Sequence, residues 1–427
     1  MAEASLQWEK YIAWYHDFEE AEINTEEKAV KHYEEHGRKE GRSPNPCLPI
    51  IPPQHLQKIM NSGKGTYLII THKRGGGSTK YLNDLISFMR SRGYNFVFMR
   101  GKDEMVDIEI EGCIYALNLV TEYDHIIDFM SPLHLKGVHV NHVIDFPEQI
   151  SQLLGDLNLP YIVTIHDWFF ISGNFEDNRP TASNEQLRYY RSILLFADEV
   201  FVPSESVEKI YKENYPDAKF TVVPHEILQF KQIPFSRESN VILNIGILGF
   251  ISYIKGANVI IECALDSQKK KLNHMYHIYG SHESVAALPS NVVCHGEYKN
   301  YDHLCDMLKE TPIDIFLVPG IWHETYCYVL TDLLRQHLPI CLAKYPIFEE
   351  RCKDMKGIIF YPPDSNATII NTSLASIRRK ETLSTLTKLT RATLISPVNP
   401  RYVSYYEKMK TNVRSVREVQ SSRTISS

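Results

Sequence analysis

Short apolar, β-branched runs alternate with amphipathic stretches along most of the chain. YLIIT (67–71) reads as a strand, Leu82–Met89 as a helix and NFVFM (95–99) as the next strand. Further strand candidates follow at Val138–Val140, Tyr161–Ile165, Glu199–Val202 and Phe220–Val223. The rhythm restarts at VILNIGILG (241–249) and runs on through MYHIYG (275–280), NVVCHG (291–296), DIFLVP (314–319), PICLA (339–343) and GIIFY (357–361). Strands that are apolar on both faces and alternate with helices predict parallel sheets covered on both sides. The expected class is therefore α/β, with two Rossmann-like doubly wound sheets in halves of roughly 170 and 160 residues, joined near 228–240.

Outside these halves the pattern changes. Trp8, Tyr11, Ile12, Tyr15 and Phe18 recur at three- and four-residue spacing, the stripe of an amphipathic helix. Asn24-Thr25-Glu26-Glu27 predicts the cap of a second helix ending at His36-Gly37, and GRSPNPCLPIIPPQ (41–54) reads as a proline-dense linker. The expected organisation is a helical extension and linker over 1–55, α/β domains over 60–230 and 235–395, a helix over 396–412 returning to the first domain, and a loose tail over 413–427.

Composition narrows the function classes. The 427 residues are 43% hydrophobic and 23% charged, ordinary values for a chain with a real core. The longest apolar runs fall far short of the roughly 20 residues of a membrane span, and MAEASLQWEK lacks a signal-peptide pattern. At most peripheral membrane contact is expected. Lys plus Arg number 46 against 52 Asp plus Glu, a net charge of −6, so no overall basic field recruits nucleic acid. Eight scattered cysteines form no CxxC pair or zinc spacing. Several lie in apolar runs and read as small core residues in a reducing, cytoplasmic compartment.

Four stretches carry candidate chemistry. HKRGGGSTKYLNDL follows the strand YLIIT and leads into a helix, where Gly75, Gly76 and Gly77 let backbone amides approach an anion, or simply form a turn. It is neither GxGxxG nor a Walker loop. In VTIHDWFFISG (163–173), His166, Asp167 and Trp168 land at a strand's carboxyl end, where open α/β sheets bind ligands. In ILGFISYIKGANVIIECA (247–264), Lys255-Gly256 opens a helix. A lysine there opposes the dipole preference unless lysine and dipole face a shared anion such as a pyrophosphate; the alternative is a solvated lysine. In PGIWHETYCYVLTDLLRQHLP (319–339), Tyr326, Val329, Leu330, Leu333 and Leu334 form an apolar helical face. Glu324 and Asp332 would then lie about 12 Å apart along that helix, within ~80° of each other.

Together these stretches resemble nucleotide-sugar-dependent glycosyltransferases of the two-Rossmann GT-B architecture, closest in pattern to glycosyltransferase family 4, from about Tyr67 to Tyr406. The family's glycine loop matches Gly75, Gly76 and Gly77, its T-x-H strand end matches His166, and its P-S strand end resembles FVPSESV (201–207). Its lysine-glycine pair matches Lys255-Gly256, its acid-x7-acid motif matches Glu324 and Asp332, and its glycine-leucine-proline turn appears as His337-Leu338-Pro339. HYEEHGRKEGRSPNP (32–46) resembles a helical extension found beside bacterial-type polysaccharide glycosyltransferases. Two positions depart from the pattern. Phe250 follows Gly249 where the family usually has arginine, and Asp332 stands where it usually has glutamate.

The resemblance implies two domains facing across a cleft, the amino half holding the acceptor and the carboxyl half the nucleotide-sugar donor. It implies catalytic roles for His166, acting through its carbonyl, and for Glu324, which would hold donor-sugar hydroxyls. Donor contacts are implied at Gly75, Gly76, Gly77, Gly249, Lys255, Gly256, Thr325, Tyr326 and Asp332, and acceptor or sugar contacts at Asp167, Trp168 and His323. No metal and no other cofactor is implied. The expected activity is transfer of a sugar, with retention of anomeric configuration, to a glycan or a lipid- or protein-linked saccharide in polysaccharide or glycan synthesis. A nucleotide-sugar epimerase or hydrolase of the same fold, or a non-catalytic sugar-nucleotide or glycan-binding protein, are the alternatives.

Overall fold

The computed structural model describes residues 6–15, 23–40, 42, 49–61, 63–173, 182–236, 241–282, 288–378 and 386–411. Phe18, most of the segment 41–48 and the tail after 411 lie outside these residues. The chain forms two compact units, one drawn from Met1–Ile165, Tyr189–Phe201 and Pro400–Ser427, the other from His166–Arg188 and Val202–Asn399.

The first unit is built on β1 (Thr66–Thr71), β2 (Asn95–Lys102), β3 (Met105–Ile110), β4 (Cys113–Asn118), β5 (Val138–Val140), β6 (Tyr161–Thr164) and β7 (Glu199–Val202). Their order is β4-β3-β2-β1-β5-β6-β7. β1 pairs in parallel with β2 and β5, and every residue of β1 is buried, as its apolar run predicts. β3 and β4 add an antiparallel hairpin that the expectation of an all-parallel sheet left out. Its turn is Glu111-Gly112, at φ 50° and 83°. Positive φ at both central residues is the type I′ form of the two-residue hairpin turn, and glycine supplies one of them without strain. Helices Trp8–Trp14 and Glu26–His32 precede this sheet, the second capped by the Thr25 hydroxyl accepting from Lys28 N–H at 3.4 Å. The Trp14 indole donates to Glu122 at 2.6 Å and stacks on His125.

The helix Arg401–Thr411 supplies Tyr402 and Tyr406, both fully buried, to the first unit's core. Tyr67 donates its hydroxyl to the Tyr406 carbonyl at 2.8 Å. His139 lies fully buried with Nδ1 2.7 Å from the Tyr406 hydroxyl and Nε2 2.8 Å from Thr164.

The second unit contains β8 (Phe220–Val222), β9 (Ile227–Pro234), β10 (Leu243–Leu248), β11 (His274–Tyr279), β12 (Val292–Gly296), β13 (Ile315–Val318), β14 (Ile340–Ala343), β15 (Ile358–Tyr361) and β16 (Lys388–Ser396). Six of these form a parallel sheet, β12-β11-β10-β13-β14-β15. β10 runs beside β11 on one side and β13 on the other, so the winding direction reverses there. The crevice outside the carboxyl ends of strands at such a switch point is where open α/β sheets hold ligands. β9, in the stretch expected to be a junction, pairs antiparallel with β16.

Burial drives the His139 pKa down to about 3. The unfolded chain therefore binds the extra proton first, at its ordinary value near 6.5. Stability linked to this group is complete above that pH and declines as pH falls toward 3, by at most about 1.4 kcal/mol per pH unit. His139→Gln should flatten the acid limb of a plot of melting temperature against pH between 6.5 and 4. An unchanged limb assigns the acid sensitivity to other groups.

Candidate functional site

Two loops leave the switch point of the second unit. After β10 the chain passes Gly249, at φ 103°, and a turn in which Lys255 N–H reaches Ser252 O at 3.1 Å and Gly256 N–H reaches Tyr253 O at 3.0 Å. The helix Ala257–Lys270 follows, with Gly256 at its N-cap position and no side chain capping it. Gly256 has φ 90°, and a Cβ there would collide with the Pro319 carbonyl of the second loop. Only glycine satisfies both constraints.

The second loop runs from Pro319 to Cys327 after β13. It places the Glu324 carboxylate in an ion pair with the Lys255 ammonium. The lysine side chain is 38% exposed and the glutamate 15%. Burial works to lower the Lys255 pKa, but the facing carboxylate outweighs it and holds the ammonium above its ordinary value. The Trp322 ring lies 5.6 Å from the ammonium and is itself buried. Lys255 is therefore neither solvated nor an unpaired cation waiting for an anion.

Glu324 does not sit on a helix. The helix begins only at Tyr328 and ends at Leu334, because Cys327 adopts a left-handed conformation at φ 66°. The separation and rotation expected for Glu324 and Asp332 on a continuous helix accordingly do not hold. Tyr326 also precedes the helix. It is buried, with its hydroxyl 3.2 Å from Glu226 Oε2. Asp332 does lie on the helix and meets Arg335 at 3.5 Å, while that guanidinium covers the Tyr301 ring at 3.3 Å. Val329 of the same helix comes closest to where a Cβ on Gly249 would stand, at 3.1 Å.

The segment after β6 belongs to this unit as well. Thr325 donates its hydroxyl to the His166 carbonyl, so the carbonyl expected to act on a ligand already has a partner. The His166 and His225 rings lie 5.2 Å apart. Trp168 is buried, stacks on Tyr211 and donates its indole N–H to the His323 carbonyl at 2.7 Å. It braces the loop where a sugar contact was expected. The Asp167 carboxylate accepts from Phe169 N–H at 2.9 Å, and its carbonyl accepts from the Tyr211 hydroxyl at 2.6 Å. The His323 ring faces Tyr345 at 4.7 Å.

Sequence reasoning passed over Glu226 and Arg351. Glu226 is 4% exposed, and its Oε2 accepts from Thr331 Oγ1 at 2.7 Å as well as facing Tyr326. Arg351 donates to the carbonyls of Tyr326 and Cys327 and to Thr331 Oγ1. An acid between two strands, in VVPHEIL, was a usable signal for Glu226. Arg351 sits in a short helix with no motif around it and gave none.

In the first unit, Gly75 is the N-cap of the helix Gly76–Arg90, and Gly75 and Gly76 have φ 84° and 82°. No side chain caps this helix either, and nothing lies within 4 Å of where a Cβ on Gly75 or Gly76 would stand. Gly77 lies in the first turn. Arg74 pairs with Asp145 and Lys73 with Asp107 beside the loop. Among the described residues no group of three His, Cys, Asp or Glu could hold a metal ion. No helix among them is long and apolar enough to cross a membrane.

A sequence comparison with family models matches residues 75–227 to Glycosyltransferase Family 4. The chain carries a glycosyltransferase family 4 segment. The match covers about a third of the chain, and the fold is the α/β architecture of the GT-B glycosyltransferases. A glycosyltransferase from Rickettsia africae superposes with a TM-score of 0.54 at 12% identity, covering 81% of this chain and 99% of that one. HepE from Anabaena, solved in complex with UDP and glucose, gives 0.53 at 10% identity over 84% and 99%. Sucrose-phosphate synthase from Thermosynechococcus elongatus gives 0.52 at 12% identity over 84% and 100%. A search of curated proteins finds no sequence match.

The Gly256 geometry is directly testable. Gly256→Ala combines left-handed strain with a collision against the Pro319 carbonyl, and should destabilise the second unit by about 1–3 kcal/mol or more. Denaturant unfolding reads the loss. Stability within about 0.5 kcal/mol of the parent, the scale of an ordinary surface change, would remove the close approach of the two loops.

Proposed function

We propose that the protein moves a sugar from a nucleoside diphosphate sugar to a hydroxyl of a glycan or of a lipid- or protein-linked saccharide, with retention of configuration, without a metal and in the cytoplasm. The observation that carries the reading is the Lys255–Glu324 pair beside the uncapped N-terminus of the helix Ala257–Lys270, at the sheet's switch point. HepE and the pneumococcal O-GlcNAc transferase, which share the fold, were solved with UDP, so uridine donors head the list to try.

The chain's residues divide the work as follows. Lys255 and the first-turn amides of its helix meet the diphosphate, where cation and dipole both favour negative charge. Glu324 takes the sugar hydroxyls, and Asp332 accepts from the ribose hydroxyls. His166 orients the sugar, its backbone fixed by Thr325. The bond from the anomeric carbon to the diphosphate oxygen breaks, a bond to the acceptor oxygen forms, and the acceptor's proton leaves with the diphosphate.

Phe250, 58% exposed where the family usually carries arginine, favours a second reading, that of a sugar-nucleotide-binding protein without turnover. Calorimetry with a panel of nucleoside diphosphates and their sugars, followed by hydrolysis and acceptor assays, separates the two. Binding with turnover supports the transferase, binding without any turnover supports the second reading, and no binding removes both.

The charges make opposite predictions for the two members of the ion pair. Lys255→Ala should weaken diphosphate binding by about 1.5–3 kcal/mol, the value of a charge-assisted hydrogen bond. Glu324→Gln releases Lys255 to the phosphates, so diphosphate affinity should rise while turnover collapses. Weakened affinity in both variants would mean that the pair acts as one structural unit.

Asp332→Asn should raise the donor's dissociation constant roughly ten- to hundredfold and leave turnover at saturation nearly intact. His166→Ala should do the reverse. If Asp332→Asn instead moves affinity by less than about 0.5 kcal/mol, Asp332 does not hold the ribose.

A further inference from the structure

Glu226 and Arg351 take no part in the site as read from the family's pattern, yet they converge on the turn that carries Glu324. The Thr331 hydroxyl links them. It accepts from Arg351 Nη2 at 2.8 Å and donates to Glu226 Oε2 at 2.7 Å. The Tyr326 hydroxyl closes the other side, accepting from Glu226 N–H at 3.3 Å and standing 3.2 Å from the Glu226 carboxylate. Arg351 also donates to the carbonyls of Tyr326 and Cys327, at 2.7 Å to the latter, and stacks its guanidinium 4.0 Å from the Tyr326 ring. Side chains on both sides of Cys327, and the carbonyl groups of the turn itself, are thus gathered by one buried acid and one arginine.

We infer that Glu226 and Arg351 are positioning residues that hold the left-handed turn at Cys327 and thereby fix where Glu324 stands. A left-handed, non-glycine residue persists only where its surroundings over-determine it, and these two side chains supply the constraint. Neither acts on substrate. They act through Glu324, three residues before the turn, and the kinetic part of the inference rests on the donor-site reading above.

Hydrogen–deuterium exchange on the full chain tests the clamp without any ligand. In Glu226→Gln, peptides covering 319–327 should exchange at least tenfold faster, while peptides from β13 and β14 keep their rates. Thr331→Val, which deletes the bridging hydroxyl and keeps the shape, should act in the same direction and carries the test should Glu226→Gln fail to fold. Unchanged exchange at 319–327 in either folded variant overturns the inference.

The kinetic arm uses UDP binding and UDP-glucose hydrolysis, or the donor that the panel selects. Glu226→Gln should lower turnover at least tenfold and shift UDP affinity in the same direction as Glu324→Gln, upward and by no more than that variant does. In a Glu324→Gln background it should lower turnover no further, because a residue acting through Glu324 has nothing left to position. A further loss there overturns the positioning role. A parent protein that binds no nucleotide refutes the donor reading instead, and leaves the exchange result standing on its own.

Discussion

One backbone residue in a disfavoured conformation organises the candidate site. Cys327 holds φ 66°, a left-handed geometry that costs a non-glycine residue of order 1–3 kcal/mol. The conformation does two jobs that a continuous helix could not do together. It lets Leu330, Leu333 and Leu334 of the helix Tyr328–Leu334 stay buried in the core of the second unit. It also turns the preceding loop back, so that Glu324 reaches Lys255 on the neighbouring loop. The cost is offset by hydrogen bonds on both sides of the turn, from Arg351 to the carbonyls of Tyr326 and Cys327 and to Thr331, and from Thr331 to Glu226. The position of Glu324 is therefore tied to packing several residues away.

The ion pair shows why such a turn is worth holding. A buried carboxylate or ammonium alone would be expensive, and pairing offsets much of that desolvation. Lys255 remains the more exposed side chain of the two. Trp322 lies against it and restricts where the ammonium can go. Gly256 fixes the same loop from below by allowing the Pro319 carbonyl to approach closely. Two loops from two strands are locked at glycine, at the ion pair and at the clamp.

Much of the architecture was legible in the chain because buried parallel strands announce themselves as apolar runs. Val138–Val140 and Glu199–Val202 stand where the pattern put them, and most of the others differ by a residue or two. The hairpin Met105–Asn118 was overlooked although VDIEIEGCIYAL alternates around an Glu-Gly turn, the ordinary signature of an antiparallel pair. The β9–β16 ribbon could not have been read, since its partners lie far apart in sequence and neither alternates cleanly. In the site, residue identities carried further than geometry. Lys255, Gly256 and Glu324 were visible as a set, but helical periodicity through Tyr326 wrongly extended the helix to Glu324. Periodicity records which side chains are buried, and Tyr326 is buried by Glu226 and Arg351 rather than by helical phase.

The departure at Phe250 gains its meaning from these commitments. A diphosphate brings two or more negative charges, and the position that usually supplies an arginine supplies none here. The nearby guanidinium groups are engaged. Arg351 is bound to the carbonyls of the turn, and Arg335 lies over Tyr301 beside Asp332. On the proposed donor reading, Lys255 and the amides of its helix would meet the anion, with Lys255 held by Glu324 until it arrived. On that reading, releasing the lysine would also free the Glu324 carboxylate to accept hydroxyls. Anion capture and sugar capture would then be one event, because each partner of the ion pair becomes available only when the other is taken.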